Sequence, residues 1–378
     1  MKLLVVTGTR ADFGLWRPVL DEIDRRAMPD LQLALLVTAM HLDERFGFTA
    51  SEVRASGYRI AAEVPCSPVG DSRTEMAQAL GVALNAMAPA VEAEDPDWVL
   101  LLGDRGEQLA AGLAALHLGR AIAHLHGGER TLGAVDDALR DMITRLAHLH
   151  FVADESAAAR VERLGEAPWR IHRTGSPGLD GLDAVDPDAG QAMRDRYGLG
   201  TDPYAVIIYH PETVGRTDPV EVLEGILGAV ADAGLTSVAI LPNSDAGGRA
   251  MRSALIDRAP ELRAVIASLP REEYVALLAG ASVLVGNSSS GIIEAPMLRV
   301  PAVNVGDRQR GRVRGDNVID VPSDRESVRR ATQAAATAEF RGRLSGRSPY
   351  GSGGAAPEIV DALLAQPLDA RLLIKEVA

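Results

Sequence analysis

Short, unbroken apolar runs alternate along the chain with longer stretches in which apolar residues recur at helical spacing. In the first half the runs fall at 3–7, 33–38, 98–102, 122–126 and 149–153, and the helical stretches at 16–25, 73–88, 107–118 and 135–146. Runs rich in Val, Ile and Leu without polar alternation mark strands buried on both faces, as in parallel βαβ units. The second half repeats the rhythm. It predicts strands at 205–209, 237–241, 264–267, 283–285 and 302–305, and helices at 219–231, 248–258, 272–279 and 291–297. Gly175-Ser176-Pro177-Gly178 and the polar stretch 186–203 read as a linker and hinge between the halves. A Gly-, Ser- and Arg-rich stretch at 341–356 reads as a loop before terminal helices at 359–364 and 370–376. The expectation is an α/β chain of two Rossmann-like doubly wound domains, 1–174 and 175–356, facing a central cleft, with 357–378 as C-terminal helices. In such sheets ligands bind beyond the carboxyl ends of the strands, so the chemistry is expected there.

Composition narrows the function classes. The 378 residues allow two or three domains at roughly 150 each, and a lone Cys66 excludes a disulfide framework. Acids outnumber bases by 52 to 39, a net charge of −13 that argues against nucleic-acid and anionic-membrane surfaces. Aromatic residues, at 4%, are too few for base-stacking platforms. The N-terminus runs straight into a strand-length apolar segment, and no stretch reaches the ~18 apolar residues of a membrane helix. The expected location is the cytoplasm.

Candidate chemistry gathers where predicted strands end. Thr7-Gly8-Thr9-Arg10-Ala11-Asp12 follows the first strand; its small residues allow close backbone approach, and Arg10 offers a fork for phosphate. Taken alone it is equally a plain strand–helix turn. Asn287-Ser288-Ser289-Ser290-Gly291 opens a predicted helix as a diphosphate cradle, with Glu294 one turn in to accept from ribose hydroxyls. Ser-rich caps look similar. Asp104, in Gly103-Asp104-Arg105, either points a carboxylate into the cleft or caps the next helix. His210 suits a phosphate, and Asn243 and Asp245 suit sugar hydroxyls, although Asn243-Ser244-Asp245 also reads as a turn. Arg308, Arg310 and Arg312 attract anions or simply solvate a loop.

The richest segment is His124-Leu125-His126-Gly127-Gly128-Glu129, followed by Asp136 and Arg140. Period two puts His124 and His126 on one strand face. Two readings compete: a divalent metal held by histidines and carboxylates, or Glu129 and Asp136 as acid–base groups positioned by histidines. The Gly pair favours the second by bringing backbone close to a ligand. His148 and His150 read as structural.

Taken in order, these segments resemble the hydrolysing UDP-N-acetylglucosamine 2-epimerases of bacterial sialic-acid pathways. The matching stretches begin with 7–12, Met40-His41-Leu42, Gly103-Asp104-Arg105, 126–129 and 136–140, and continue through 175–180, His210-Pro211, 242–248 and 287–320. The resemblance implies a glycosyltransferase-B architecture, with the C-terminal helices packing back on the N-terminal domain. It implies anti elimination of UDP from UDP-N-acetylglucosamine, then hydration of a 2-acetamidoglucal to N-acetylmannosamine. Asp104, Glu129 and Asp136 would be the acid–base carboxylates, assisted by His126. Arg10, His41, Arg140, His210, Asn243, Asp245, Ser288, Ser289, Ser290, Gly291 and Glu294 would bind the substrate. No metal or other cofactor is implied, and the partners are the nucleotide sugar and a second copy in a homodimer. Close relatives run the same reaction on UDP- or GDP-linked 2,4-diacetamido-2,4,6-trideoxy sugars of legionaminic acid synthesis; a glycosyltransferase or a non-catalytic nucleotide-sugar binder are further alternatives. One departure stands out: Arg140 is followed by Asp141, where that family commonly carries His.

Overall fold

The apolar runs assemble into two all-parallel sheets in the computed structural model, which describes residues 1–132, 134–184, 187–213 and 217–375. The first sheet contains β1 (Lys2–Thr7), β2 (Gln32–Thr38), β3 (Ile60–Val64), β4 (Trp98–Leu102), β5 (Ala121–Leu125), β6 (Leu149–Val152) and β7 (Ile171–Arg173), in the order β3-β2-β1-β4-β5-β6-β7. The second contains β8 (Tyr204–Ile208), β9 (Thr236–Ile240), β10 (Ala264–Ile266), β11 (Val283–Gly286), β12 (Ala302–Val305) and β13 (Val318–Val321), in the order β10-β9-β8-β11-β12-β13. Both are doubly wound, and in each the chain changes direction beside its first strand, at β1/β4 and at β8/β11.

The chain divides into two units: Met1–Glu129, Asp136–Asp180 and Gly353–Ala378 form the first, and Arg130–Val135 with Gly181–Ser352 the second. The first boundary thus falls six residues beyond the expected 174/175, and the short segment Arg130–Val135 departs from its neighbours to join the second unit. In the first unit helices Arg10–Arg26 and Ala355–Ala365 cover one sheet face, packing Trp16, Leu20, Ile359 and Leu363 on Leu3, Val5 and Leu100. Helices Arg73–Glu94 and Gly106–His117 cover the other. In the second unit helices Pro219–Asp232 and Arg325–Ala335 lie over one face and Arg271–Ala279 over the other.

The C-terminal segment is held within the first unit by polar bonds as well as by packing. Asp180 accepts from the amides of Ala355 (2.9 Å) and Ala356 (2.8 Å), an anion at a helix N-terminus. Buried Arg170 donates to the carbonyls of His148, Arg371, Leu372 and Ile374. Lys375 reaches the carbonyls of Arg145 and Ala147 and the carboxylate of Glu166.

Some elements differ from the sequence expectation. Strands β3, β7 and β13 lie at sheet edges, where only one neighbour covers them, so their residues are mixed and carry no apolar run. The stretch read as linker contains a helix, Pro187–Arg196. Asp186 and Glu376, which the predicted linker and final helix include, lie outside the described residues.

Candidate active site

In the first unit the turn after β1 is a helix cap. Thr9 is the N-cap of Arg10–Arg26, its Oγ1 accepting from the Asp12 amide at 3.1 Å. Asp12 closes the capping box, accepting from the amides of Gly8 (3.0 Å) and Thr9 (3.2 Å) and from Thr7 Oγ1 (2.5 Å). An internal carboxylate therefore occupies the amides that the sequence suggested for phosphate. Burial pushes the Asp12 carboxyl up to about 6, against the hydrogen bonds that lower it. Arg10 carries an ion pair to Glu52 at 2.5 Å.

His41 departs from its expected role. Its Nε2 lies 3.0 Å from Thr7 Oγ1 and its Nδ1 2.7 Å from Thr49 Oγ1, and the side chain is fully buried. Because Thr7 donates to Asp12, Nε2 carries the proton and Nδ1 accepts from Thr49. Both ring nitrogens hold the loop, so this histidine has none left for substrate. Burial lowers its pKa to about 4, keeping it neutral.

The turn after β5 places Glu129. His126 adopts φ 60° and Gly128 φ 77°, reversing the chain so that Glu129 folds back on the histidine. His126 Nδ1 sits 2.5 Å from Glu129 Oε1, and its Nε2 3.2 Å from Ser176 Oγ. An Nδ1 proton donated to the carboxylate leaves Nε2 to accept from Ser176. Glu129 is 4% exposed and His126 5%. The glycines are required by packing. A Cβ on Gly128 would stand 2.3 Å from the Ala157 carbonyl oxygen, and one on Gly127 3.0 Å from His124 Nδ1. His124 is a strut: its Nε2 meets the Gly103 carbonyl at 2.8 Å and its Nδ1 meets Thr144 Oγ1 at 3.2 Å.

Asp104 does not cap the helix after β4, whose N-cap is Arg105. It pairs instead with Arg140, which also donates to the His126 carbonyl at 2.7 Å. Arg140 thus ties the β4 and β5 turns together and gathers Asp104, His126 and Glu129 at the carboxyl edge of the sheet. Asp136 starts helix Asp136–Leu146 and is buried. Asp141, on the same helix, pairs with Arg160 at 2.6 Å.

In the second unit the pole of β8 and β11 is cross-linked by Asn287, the residue that opens the serine segment. Asn287 Oδ1 accepts from the His210 amide (2.7 Å) and its Nδ2 donates to the His210 carbonyl (2.9 Å). Gly286 runs so close to β8 that a Cβ would lie 2.0 Å from the Ile208 oxygen. His210 Nδ1 accepts from the Asn243 amide at 3.3 Å, and Asn243 bonds Asp245 at 2.8 Å in the turn that opens helix Gly248–Asp257. Three expected binding residues, His210, Asn243 and Asp245, are therefore mutually bonded. The serine segment forms only one helical turn, Ser290–Ile293, shorter than the helix expected at 291–297. The amides of Gly291 and Ile292 bond the carbonyls of Ser288 and Ser289, and Ser290 Oγ accepts from Tyr274 at 2.5 Å. Glu294 follows directly. Thr7, Asn287, Ser176 and Tyr274 carry this scaffolding; the first three fall in segments the sequence marked for other reasons, as a phosphate turn, a diphosphate cradle and a linker, and Tyr274 had no signal.

Among the described residues no three His, Cys, Asp or Glu side chains converge as a metal site requires, and no helix is long and apolar enough to cross a membrane.

The chain matches a family model described as UDP-N-acetylglucosamine 2-epimerase over residues 22–364. It is 38% identical to a hydrolysing UDP-N,N'-diacetylbacillosamine 2-epimerase of Legionella pneumophila, over 99% of this chain and 98% of that one. It is 32% identical to a UDP-N-acetylglucosamine 2-epimerase of Neisseria meningitidis serogroup B, over 88% and 87% of the two chains. A crystal structure of a Neisseria meningitidis UDP-GlcNAc 2-epimerase bound to UDP-GlcNAc shares the fold, with TM-score 0.81 at 20% identity, covering 97% of this chain and 100% of that one. Two doubly wound sheets, carboxylates gathered at one strand edge and a match spanning nearly the whole chain lead to one conclusion: this protein belongs to the hydrolysing UDP-N-acetylglucosamine 2-epimerase family.

Proposed function

We propose that this enzyme converts a UDP-linked 2,4-diacetamido-2,4,6-trideoxyglucose to UDP and the free 2-epimeric sugar. The observation that carries the choice of sugar is the 38% identity to the Legionella diacetylbacillosamine enzyme over 99% of the chain. A hydrolysing relative of Campylobacter jejuni, described as acting on the GDP- or UDP-linked form of that sugar, is 31% identical over 84% of the chain. UDP-N-acetylglucosamine is the second reading, supported by the Neisseria relative.

The chemistry asks for three things. A base removes the C2 proton, the C1–oxygen bond breaks with its electrons leaving on UDP, and water then adds across the C1–C2 double bond. The C2 proton is weakly acidic, so the base must be positioned and shielded from bulk water. Glu129, buried and oriented by His126, meets that requirement. Asp104 and Asp136 are the partner carboxylates for the opposite proton transfers, with Arg140 holding Asp104. His210, Ser288, Ser289, Gly291 and Glu294 take the nucleotide, with Arg10 a further cation for the diphosphate.

The test is incubation with each UDP sugar in deuterated water, reading the released sugar by mass and NMR. The expected result is UDP plus the trideoxy sugar with inverted C2 carrying one deuterium there, and slower turnover of UDP-N-acetylglucosamine. Preferential turnover of UDP-N-acetylglucosamine would reverse the choice of sugar; release of UDP only with an added acceptor would replace hydrolysis with transfer.

A further inference from the structure

Helix Glu155–Arg163 carries none of the residues expected to react with or bind the substrate, yet one of its faces is pressed against the turn that carries Glu129. Ala157 and Arg160, three residues apart, lie on the same side of it. The Ala157 carbonyl leaves room at Gly128 only for hydrogen. Arg160, 7% exposed, donates from Nη1 to the Glu129 carbonyl at 2.7 Å. The same guanidinium reaches helix Asp136–Leu146, bonding Asp137 at 3.1 and 3.2 Å and Asp141 at 2.6 Å.

These contacts fall at a singular place in the chain. Glu129 is the last residue of the first unit before the segment Arg130–Val135, which belongs to the second, and Asp136 is the first residue after it. One buried cation therefore ties the exit point, at Glu129, to the return point, beside Asp136. It also lies between two carboxylates one helical turn apart, which would otherwise repel. A guanidinium suits the task because its planar fork can serve a carbonyl and two carboxylates at once.

We propose that Arg160 is a positioning residue that fixes the spacing of the Glu129 and Asp136 carboxylates, with Asp141 holding the guanidinium in place. Asp141 is then a structural partner of the acid–base pair. This inference rests on the proposed function above for the roles of Glu129 and Asp136.

The test compares the full-length wild type with Arg160→Gln, Arg160→Lys and Asp141→Asn. Steady-state kinetics on the UDP sugar and calorimetric titration with UDP are the first readouts. Displacing a reacting group by about an ångström lowers turnover on the order of 100-fold, so R160Q is expected to lose that much in kcat while the Kd for UDP stays within about twofold. R160K, keeping charge without the fork, is expected to recover part of the loss, and D141N to fall between R160K and wild type. Unchanged kcat in R160Q, or a Kd for UDP weakened as much as kcat, overturns the proposal. The second readout is amide hydrogen exchange across 128–137, expected to quicken in R160Q. If the wild type turns over no UDP sugar, the proposed function fails; exchange then decides the clamp alone, and unaltered exchange in R160Q overturns it. Should R160Q not fold, R160K and D141N carry both readouts.

Discussion

Replacing Gly128 by alanine puts a methyl group 2.3 Å from the carbonyl oxygen of Ala157 and 2.8 Å from a methyl carbon of Val161, at a backbone φ of 77°. The left-handed conformation alone costs a residue with Cβ about 1–2 kcal/mol. The contact with Ala157 is to helix backbone, which cannot rotate aside, so the helix or the turn must shift at a cost of roughly 1–3 kcal/mol. Together the two effects amount to about 2–5 kcal/mol. For a body of this size each kcal/mol moves the midpoint by roughly 2–4 °C, so the first-unit transition is expected to fall by about 5–15 °C. Differential scanning calorimetry measures it, and Gly81→Ala is the control. Gly81 sits inside helix Arg73–Glu94 with nothing within 4 Å of a new Cβ. There alanine is expected to stabilise by up to about 1 kcal/mol. A G128A transition within a degree of wild type, or one shifted like G81A, would refute the claim that this glycine is required by the helix above it.

Asp12 offers a test by pH. Its folded pKa, about 6, lies above the ordinary 3.8, so the folded protein favours the neutral acid. Stability is lost as pH rises through that interval and the loss is complete above it, amounting to about 3 kcal/mol. Asp12→Asn does not titrate, so urea unfolding should show the variant gaining about that much on wild type between pH 4 and pH 7; a constant difference would contradict the assignment. Arg170→Ala removes donors from four carbonyls and is expected to cost about 3–5 kcal/mol. Limited proteolysis should then cut near residues 366–375, whereas an uncut tail would mean that apolar packing alone holds it. Glu129→Gln is expected to lower UDP release by a factor on the order of 100 to 10,000 while leaving UDP affinity intact, read by coupled assay and calorimetry; near-normal release would remove Glu129 from the proton transfers.

The central strands were legible because burial on both faces leaves little but Val, Leu, Ile and Ala, as in Leu100 and Leu101 of β4 or Val303 of β12. Edge strands such as β7, with Ile171, His172 and Arg173, obey no such constraint. The candidate site was legible as a set of residue types at strand ends, since Asp104, Glu129, His210 and Ser288 all follow strands. What each side chain binds was not. Thr9 and Asp12 form a capping box that spacing alone cannot tell from a phosphate loop, and His41 and Thr49 meet only because a 3-10 turn folds one over the other. Arg160, thirty-one residues from the carbonyl it serves, had no local signature at all.

Because Ile359, Val360 and Leu363 complete the packing against helix Arg10–Arg26, the first unit is discontinuous and its last structural piece follows the second unit in the chain. On the ribosome the sheet of β8–β13 is synthesised in full while the earlier sheet still lacks that cover. The first unit therefore cannot be completed before the second has been synthesised. Until helix Ala355–Ala365 has been made, Val19 and Leu20 lack part of their apolar cover, and the nascent chain presents an oily flank to its surroundings.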